Sequence, residues 1–175
     1  WLPTTEGEEK MARTNCELCG EAMVTKKATL AEPYRYQLSG LDNVFLAGIE
    51  VGRCGKCDAR VPVIPKIEQL HKAIANYLVC KKDLLSGKEI RFLRKNAGLA
   101  AHQFAALLGL NPSHLSRVEN GKTENLGAAT DKLARAVSIA ASDGEDVRGV
   151  LLDFADRIMG KKAVFAVKKD RWEKL

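Results

Sequence analysis

Apolar and polar positions change rhythm once along the chain, near Pro65. Before it, they alternate in short runs. Tyr34-Arg35-Tyr36-Gln37-Leu38 alternates, and Val44–Val51 is rich in β-branched and aromatic residues, so both read as strands. Ser39–Asn43 between them carries glycine, aspartate and asparagine, which is turn chemistry. Arg60–Ile64 reads as a third short strand. Pro62 assigns it to a sheet edge, because proline donates no ladder hydrogen bond. Residues 11–65 contain few large apolar side chains, and so small a core needs a staple.

After Pro65 the period lengthens to that of a helix. Ile67, Leu70, Ile74 and Leu78 recur three and four residues apart, on one helix face. Asp83–Gly87 breaks that helix, and Ser86 is placed to cap the next one. Short helices are then predicted over Lys88–Asn96 and Ala101–Leu108. A third is capped by Asn111, has Pro112 at its first position and ends at Gly121. A longer fourth covers Leu126–Ala141. A fifth, over Asp143–Met159, carries Val147, Val150, Leu151, Phe154 and Ile158 on one face. Ala163–Val167 reads as a strand or a packed tail.

Composition narrows the class. With 175 residues, 46% of them hydrophobic, the chain suits one globular domain or two small ones rather than a disordered or low-complexity segment. No apolar run is long enough to span a bilayer, and the acidic Trp1–Lys10 stretch does not resemble a signal peptide. Met11 reads as a natural start, which makes residues 1–10 an upstream segment or an artificial extension. The expected location is the cytoplasm. Residues 66–140 hold 12 of the 28 basic side chains but only 6 of the 22 acidic ones, so this stretch accounts for the net +6. A basic middle suits an acidic partner.

Five cysteines are the sharpest chemical signal. Cys16-Glu17-Leu18-Cys19-Gly20 and Cys54-Gly55-Lys56-Cys57-Asp58 are two Cys-x-x-Cys knuckles separated by 34 residues. Each directs two sulfurs at one point about 2.3 Å away, and two such turns complete a tetrahedral thiolate site. Gly20 and Gly55 are expected to give the backbone room to turn its amides toward the sulfurs. The expected ligands are Cys16, Cys19, Cys54 and Cys57, and the expected cofactor is Zn²⁺ in a structural role. Iron in a rubredoxin-like site is the alternative, although no aromatic cluster shields it. Four thiolates and one Zn²⁺ carry a formal −2, which lowers the chain's charge to about +4. Cys80, near the end of the 66–82 helix, reads as a buried core thiol. His71 reads as a helix-face histidine rather than a ligand.

The second and third short helices fit a helix-turn-helix. Ala105 is small where two crossing helices approach, and Gly109 supplies the positive φ of the turn. Phe104, Leu108, Leu110, Leu115 and Val118 are assigned to the core. Ser113, His114 and Arg117 then face outward from the recognition helix, with Ser113 and Arg117 sharing a face. Arg117 is the expected base reader, directed at guanine O6 and N7. Ser113 and His114 rank behind it. Asn111, Gln103, Asn120, Lys122 and Thr123 complete the expected DNA-contacting set, the last three as phosphate contacts.

Leu93-Arg94, Gly98-Leu99, Phe104-Ala105, Leu108-Gly109-Leu110 and Leu115–Gly121 together resemble the Xre/Cro-type repressor domain over residues 87–140. The resemblance implies that Arg94 and Glu119 form a structural ion pair between the first and third helices. This chain has Ala100-Ala101 where the family often has Ser-Gln, so a capping hydroxyl and a DNA-contacting glutamine are missing. Gln103 is the nearest substitute. The whole order of knuckle, strand-rich loop, knuckle, helix and Xre domain resembles the YgiT/MqsA-type family over residues 14–140. That resemblance implies a toxin-binding zinc domain and a dimeric helical domain that represses its own operon. Its recognition positions fall on Ser113 and Arg117. Ser113 stands where asparagine is common, which implies a different operator. The tail beyond Asp143 extends past the short family members.

The expected fold is α+β with two domains: a small strand-rich four-cysteine zinc domain over 11–65 and an all-α Xre/Cro-type domain over 83–142. An amphipathic helix over 66–82 links them, and residues 143–175 form a C-terminal helix and tail suited to dimerisation. Three functions fit these residues. One is a DNA-binding repressor with structural zinc, homodimeric on a palindromic operator, with a toxin partner if it is also an antitoxin. The second is a stand-alone regulator whose thiolates sense metal or oxidants. The third is an iron electron carrier. Three isolated histidines, with no phosphate loop and no nucleophile motif, argue against an enzyme.

Overall fold

The structure is a computed structural model that describes residues 15–142 and the backbone of residues 165–168 and 171–174. The helix expected over 143–159 lies outside the described residues, as do residues 1–10. The chain divides into two compact units, Trp1–Leu70 and His71–Leu175. This division of a strand-rich part from a helical part is the expected α+β layout.

Within the described residues of the first unit the strands are β1 (Met23–Lys27), β2 (Tyr34–Arg35), β3 (Phe45–Leu46), β4 (Glu50–Cys54) and β5 (Arg60–Val63). β1, β4 and β5 form an antiparallel sheet in the order β1-β4-β5. β5 is therefore an edge strand, where Pro62 is tolerated. β2 and β3 pair separately, with Tyr34 opposite Leu46. The expected Tyr34–Leu38 strand stops after Arg35. A 3-10 turn over Gln37–Ser39 follows, in which the Ser39 hydroxyl donates to the Tyr36 carbonyl at 2.7 Å. The expected Val44–Val51 strand is two strands in different sheets, divided at Gly48 with φ +82°. β1 follows the first knuckle directly, and sequence patterning missed it. Tyr36, Leu41 and Leu46 are buried in this unit, whereas Leu18, Val24, Leu30, Leu38 and Val63 are exposed. Apolar packing alone gives it little to hold together.

The helices are α1 (Ile67–Cys80), α2 (Gly87–Asn96), α3 (Ala101–Leu107), α4 (Pro112–Glu119) and α5 (Ala128–Ser142). α1 buries Ile74, Ala75 and Leu78, while Ile67 at its first turn is exposed. Cys80 is exposed as well, which corrects its assignment to the core. Two residues past Leu78, at 100° per residue, it points away from the buried stripe. The His71 ring meets Phe92 edge-on at 5.8 Å, so it packs rather than ligates. Backbone strands β6 (Phe165–Lys168) and β7 (Arg171–Lys174) pair antiparallel, and β6 overlaps the strand expected over Ala163–Val167. No helix among the described residues is long and apolar enough to cross a membrane.

α2 opens on a full capping box. The Ser86 hydroxyl accepts from the Glu89 amide, and the Glu89 carboxylate accepts from the Ser86 amide at 2.8 Å. Ile90, Leu93, Phe104, Leu115 and Val118 are almost fully buried between α2, α3 and α4. Leu110, expected in this core, is only partly buried. α5 is tied in by Asp131 and Arg135. The Asp131 carboxylate accepts from the Leu85 amide at 2.8 Å and from Arg135 at 2.7 Å. Arg135 also donates to the carbonyls of Leu78, Val79, Lys81 and Asp83. It thereby satisfies the C-terminal carbonyls that α1 leaves unpaired.

Gly87 sits where α2 and α4 approach most closely. A Cβ there would lie 1.8 Å from the Val118 carbonyl oxygen, which is backbone and has no room to yield. Gly87→Ala should therefore destabilise the helical unit by about 1–3 kcal/mol or more, through overpacking. Urea unfolding followed by helical circular dichroism measures this, and an unchanged midpoint would disprove the close approach.

Candidate metal centre and nucleic-acid interface

Two similar turns build the sulfur cluster. In the first knuckle the Gly20 amide donates to the Cys16 carbonyl at 2.8 Å, and the Cys16 amide to the Glu21 carbonyl. In the second, the Asp58 amide donates to the Cys54 carbonyl at 3.1 Å, and the Cys54 amide to the Ala59 carbonyl. The left-handed residue comes directly after the second cysteine in each, Gly20 at φ +73° and Asp58 at +56°. In the second knuckle the Lys56 and Cys57 amides, which follow Gly55, turn toward the Cys54 sulfur, and the left-handed residue is Asp58. Aspartate is among the few non-glycine residues that tolerate this conformation.

Register then brings the knuckles together. Met23, just after the first knuckle, pairs with Cys54 across β1 and β4. The sulfurs of Cys16, Cys19, Cys54 and Cys57 all lie within 4.8 Å of one another. Cys16–Cys57 is 3.5 Å, Cys19–Cys54 is 3.4 Å and Cys19–Cys57 is 3.6 Å. Thiolates about 2.3 Å from a central ion in tetrahedral geometry stand roughly 3.8 Å apart, so the donor set fits a tetrahedral metal ion. The same distances are far beyond a disulfide bond, and all five cysteines are free. Cys16 and Cys54 are buried with Met23, against Cys19 and Ala59.

Backbone amides prepare the cluster for negative charge. The Cys57 and Lys56 amides point at the Cys54 sulfur and hold its thiol down to about 6. The Glu21 amide pulls Cys19 the same way. Hydrogen bonding to the Cys54 sulfur, burial and the sulfurs of Cys57 and Cys16 outweigh it and push Cys19 up to about 12. Without a cation, then, Cys54 ionises first and Cys19 keeps its proton to share with it. Ionising all four requires a positive centre among them.

The helical unit presents α4 against α3 across the Gly109 turn, whose φ is +65°. The Asn111 side chain caps α4 by accepting from the Ser113 amide at 2.8 Å. Glu119, at the other end, is 5% exposed and takes two guanidiniums. Arg94 holds it by paired bonds of 2.7 and 2.9 Å and also donates to the Leu99 carbonyl. Arg91 adds a bond of 3.3 Å to Glu119 and one of 2.8 Å to Asn120. Arg91 was not anticipated from the sequence, though its place one turn before Arg94 on α2 is a usable signal.

Ser113 and Arg117 are exposed and four residues apart on α4, while His114 is partly buried. Lys122 is exposed and Thr123 partly buried in the following loop. The amide-bearing side chains are engaged locally. Asn111 is the α4 cap. Asn120 accepts from Arg91 and donates to the Ser116 carbonyl at 2.7 Å. Gln103 accepts from the Ala100 amide at 2.9 Å, forming half of a capping box whose other half Ala100 cannot supply.

Residues 87–147 match the family model of a helix-turn-helix domain. No curated protein and no solved structure matches the chain. A helix-turn-helix domain points to DNA, and four convergent thiols point to a metal ion.

Two outcomes test this geometry. Cys54→Ser should abolish stoichiometric metal binding and melt residues 15–65 while the helical signal persists; limited proteolysis with metal analysis reads both, and a retained metal would refute the four-sulfur site. Glu119→Ala strands two guanidiniums, one of them nearly buried, and should cost about 3–5 kcal/mol of helical-unit stability. A loss below 1 kcal/mol in chemical denaturation would show that the ion pair is not structural.

Proposed function

We propose that the chain is a sequence-specific transcriptional repressor of the Xre type that acts as a homodimer on double-stranded DNA, carries a structural zinc ion and catalyses no reaction itself. The observation that carries this reading is the exposed Ser113–Arg117 edge of α4, set on a helix whose two ends are fixed by Asn111 and by Glu119. A helix held this way enters the major groove with its side chains pre-positioned. Arg117 supplies a bidentate fork for guanine, and Ser113 a smaller, adaptable contact. Lys122 meets phosphate. Two copies would set their α4 helices in successive major grooves about 34–36 Å apart on a palindromic operator, blocking polymerase.

Zinc is the metal that suits this cluster. Four thiolates close the coordination sphere and leave no open position for catalysis. Met23 and Ala59 pack against the sulfurs, and among the described residues no aromatic side chain belongs to that cluster. Colourless protein holding one zinc per chain supports this, and a red protein would instead identify an iron electron carrier. The resemblance to the YgiT/MqsA-type family extends the proposal to an antitoxin acting in the cytoplasm. The edges of β1 and β5 offer unpaired backbone to a toxin strand.

Arg117→Ala should weaken binding to the cognate operator by about 1–3 kcal/mol and relax the preference at one base pair in each half-site. Selection of binding sites from a random library, compared between wild type and variant, reads this directly. An equal loss on every sequence would make Arg117 a phosphate contact and remove the base-reading role.

A further inference from the structure

One face of the β1-β4-β5 sheet is cationic, and a loop arches over it. The register places Arg53 of β4 directly opposite Arg60 of β5, and Lys26 of β1 opposite Val51. Side chains alternate faces, so Lys26, Val51, Arg53 and Arg60 share one face. The segment between β1 and β2 brings Glu32 and Tyr34 over that face and closes a cleft of about 360 Å³.

The charges in this cleft do not balance. Like charges directly opposite on neighbouring strands oppose sheet formation. Glu32 pairs with Lys26 at 2.7 Å. Arg53 is paired at 2.6 Å by Asp58, which belongs to the second knuckle and not to the cleft wall. The Arg60 guanidinium has no hydrogen bond or ion pair to any described side chain. The hydrogen bond and charge of Lys26, with a smaller contribution from the Arg60 field, hold the Glu32 carboxyl below its ordinary range. Three cations thus converge on a space that holds one carboxylate. An Arg fork beside a second guanidinium matches the tetrahedral oxygens of a phosphate better than a lone lysine does. Tyr34 and Val51 give the wall an apolar surface for an organic group beside it.

We propose that this cleft is a phosphate-binding site, with Arg60 as its free anchor and Arg53 and Lys26 as flanking charges. It does not depend on the base-reading role of α4. The phosphate belongs either to a small organic monoester or to a DNA backbone, and one set of proteins separates the two. Full-length, metal-loaded wild type, R60Q and K27Q are compared. Lys27 lies on β1 next to Lys26, in the same sheet as Arg60 but on the opposite face, so it controls for general charge. Arg60 has no native pair to lose, and unchanged metal content and circular dichroism verify folding.

Calorimetry with phenyl phosphate should show binding to wild type and K27Q that weakens about tenfold or more in R60Q. If the phosphate is that of DNA, phenyl phosphate does not bind. Instead R60Q reduces the salt dependence of binding to an unrelated duplex by a slope of about one, and K27Q does not. Either pattern supports the site. Identical behaviour of R60Q and K27Q with both probes, or no binding of either probe to wild type, overturns it.

Discussion

Four sulfurs within 4.8 Å of one another cannot all be thiolates unless a cation lies among them. That constraint governs the strand-rich unit. Its apolar core is small, its strands are two to five residues long, and several leucines and valines remain exposed. The knuckles replace a core by clamping one end of the β1–β4 ladder from both strands, because Met23 and Cys54 are at once cross-strand partners and neighbours in the sulfur cluster. An ion bound by these four sulfurs would therefore contribute its binding free energy to the folding of this unit. The amides that lower the Cys54 thiol to about 6 are the protein's share of the work, since they favour the thiolate before any ion arrives.

The helical unit solves the same problem without a metal. Among its described residues it buries four ionisable or polar side chains, Glu89, Glu119, Asp131 and Ser138, and each has a partner. Glu89 closes a capping box and takes Lys81. Glu119 joins α2 to α4. Asp131 and Arg135 join α5 to the chain leaving α1. A buried carboxylate with a bidentate guanidinium is no stronger than good apolar packing in net free energy, but it is far more particular about geometry. If α4 reads DNA as proposed, that particularity about its angle is what the scaffold needs.

Much of this was legible in the sequence because period and punctuation agree. The α2–α4 boundaries follow from Ser86, Gly109, Asn111 and Pro112, each of which has one local job. The four clustered cysteines follow from spacing alone. Reading failed where the outcome depended on long-range pairing. β1 is short and half polar, and it becomes a strand only because β4 is beside it. Val44–Val51 looks like one strand, yet its halves join different sheets, and Gly48 is the sole local sign. The left-handed residue of the second knuckle is Asp58, a position that the Cys-x-x-Cys spacing does not single out. Cys80 was misassigned because an apolar stripe was extended past the last residue that lines it.

The expected DNA-contacting set illustrates a different limit. Residue type marks asparagine and glutamine as nucleic-acid readers, and the same hydrogen-bonding capacity makes them helix caps. In this fold Asn111, Asn120 and Gln103 each have an oxygen already accepting from a neighbour, so turning that oxygen to DNA would compete with a helix cap at Asn111 and Gln103 and with Arg91 at Asn120. Ser113, Arg117 and Lys122 are exposed without such a commitment. On the proposed reading of α4 as the DNA-reading helix, the polar groups it can offer are fewer than the sequence suggests, chiefly the Arg117 cation and the Ser113 hydroxyl. Discrimination resting on so few groups draws on the rigidity of the helix that carries them. The buried Glu119, with Arg94 and Arg91 both bound to it, is where that rigidity originates.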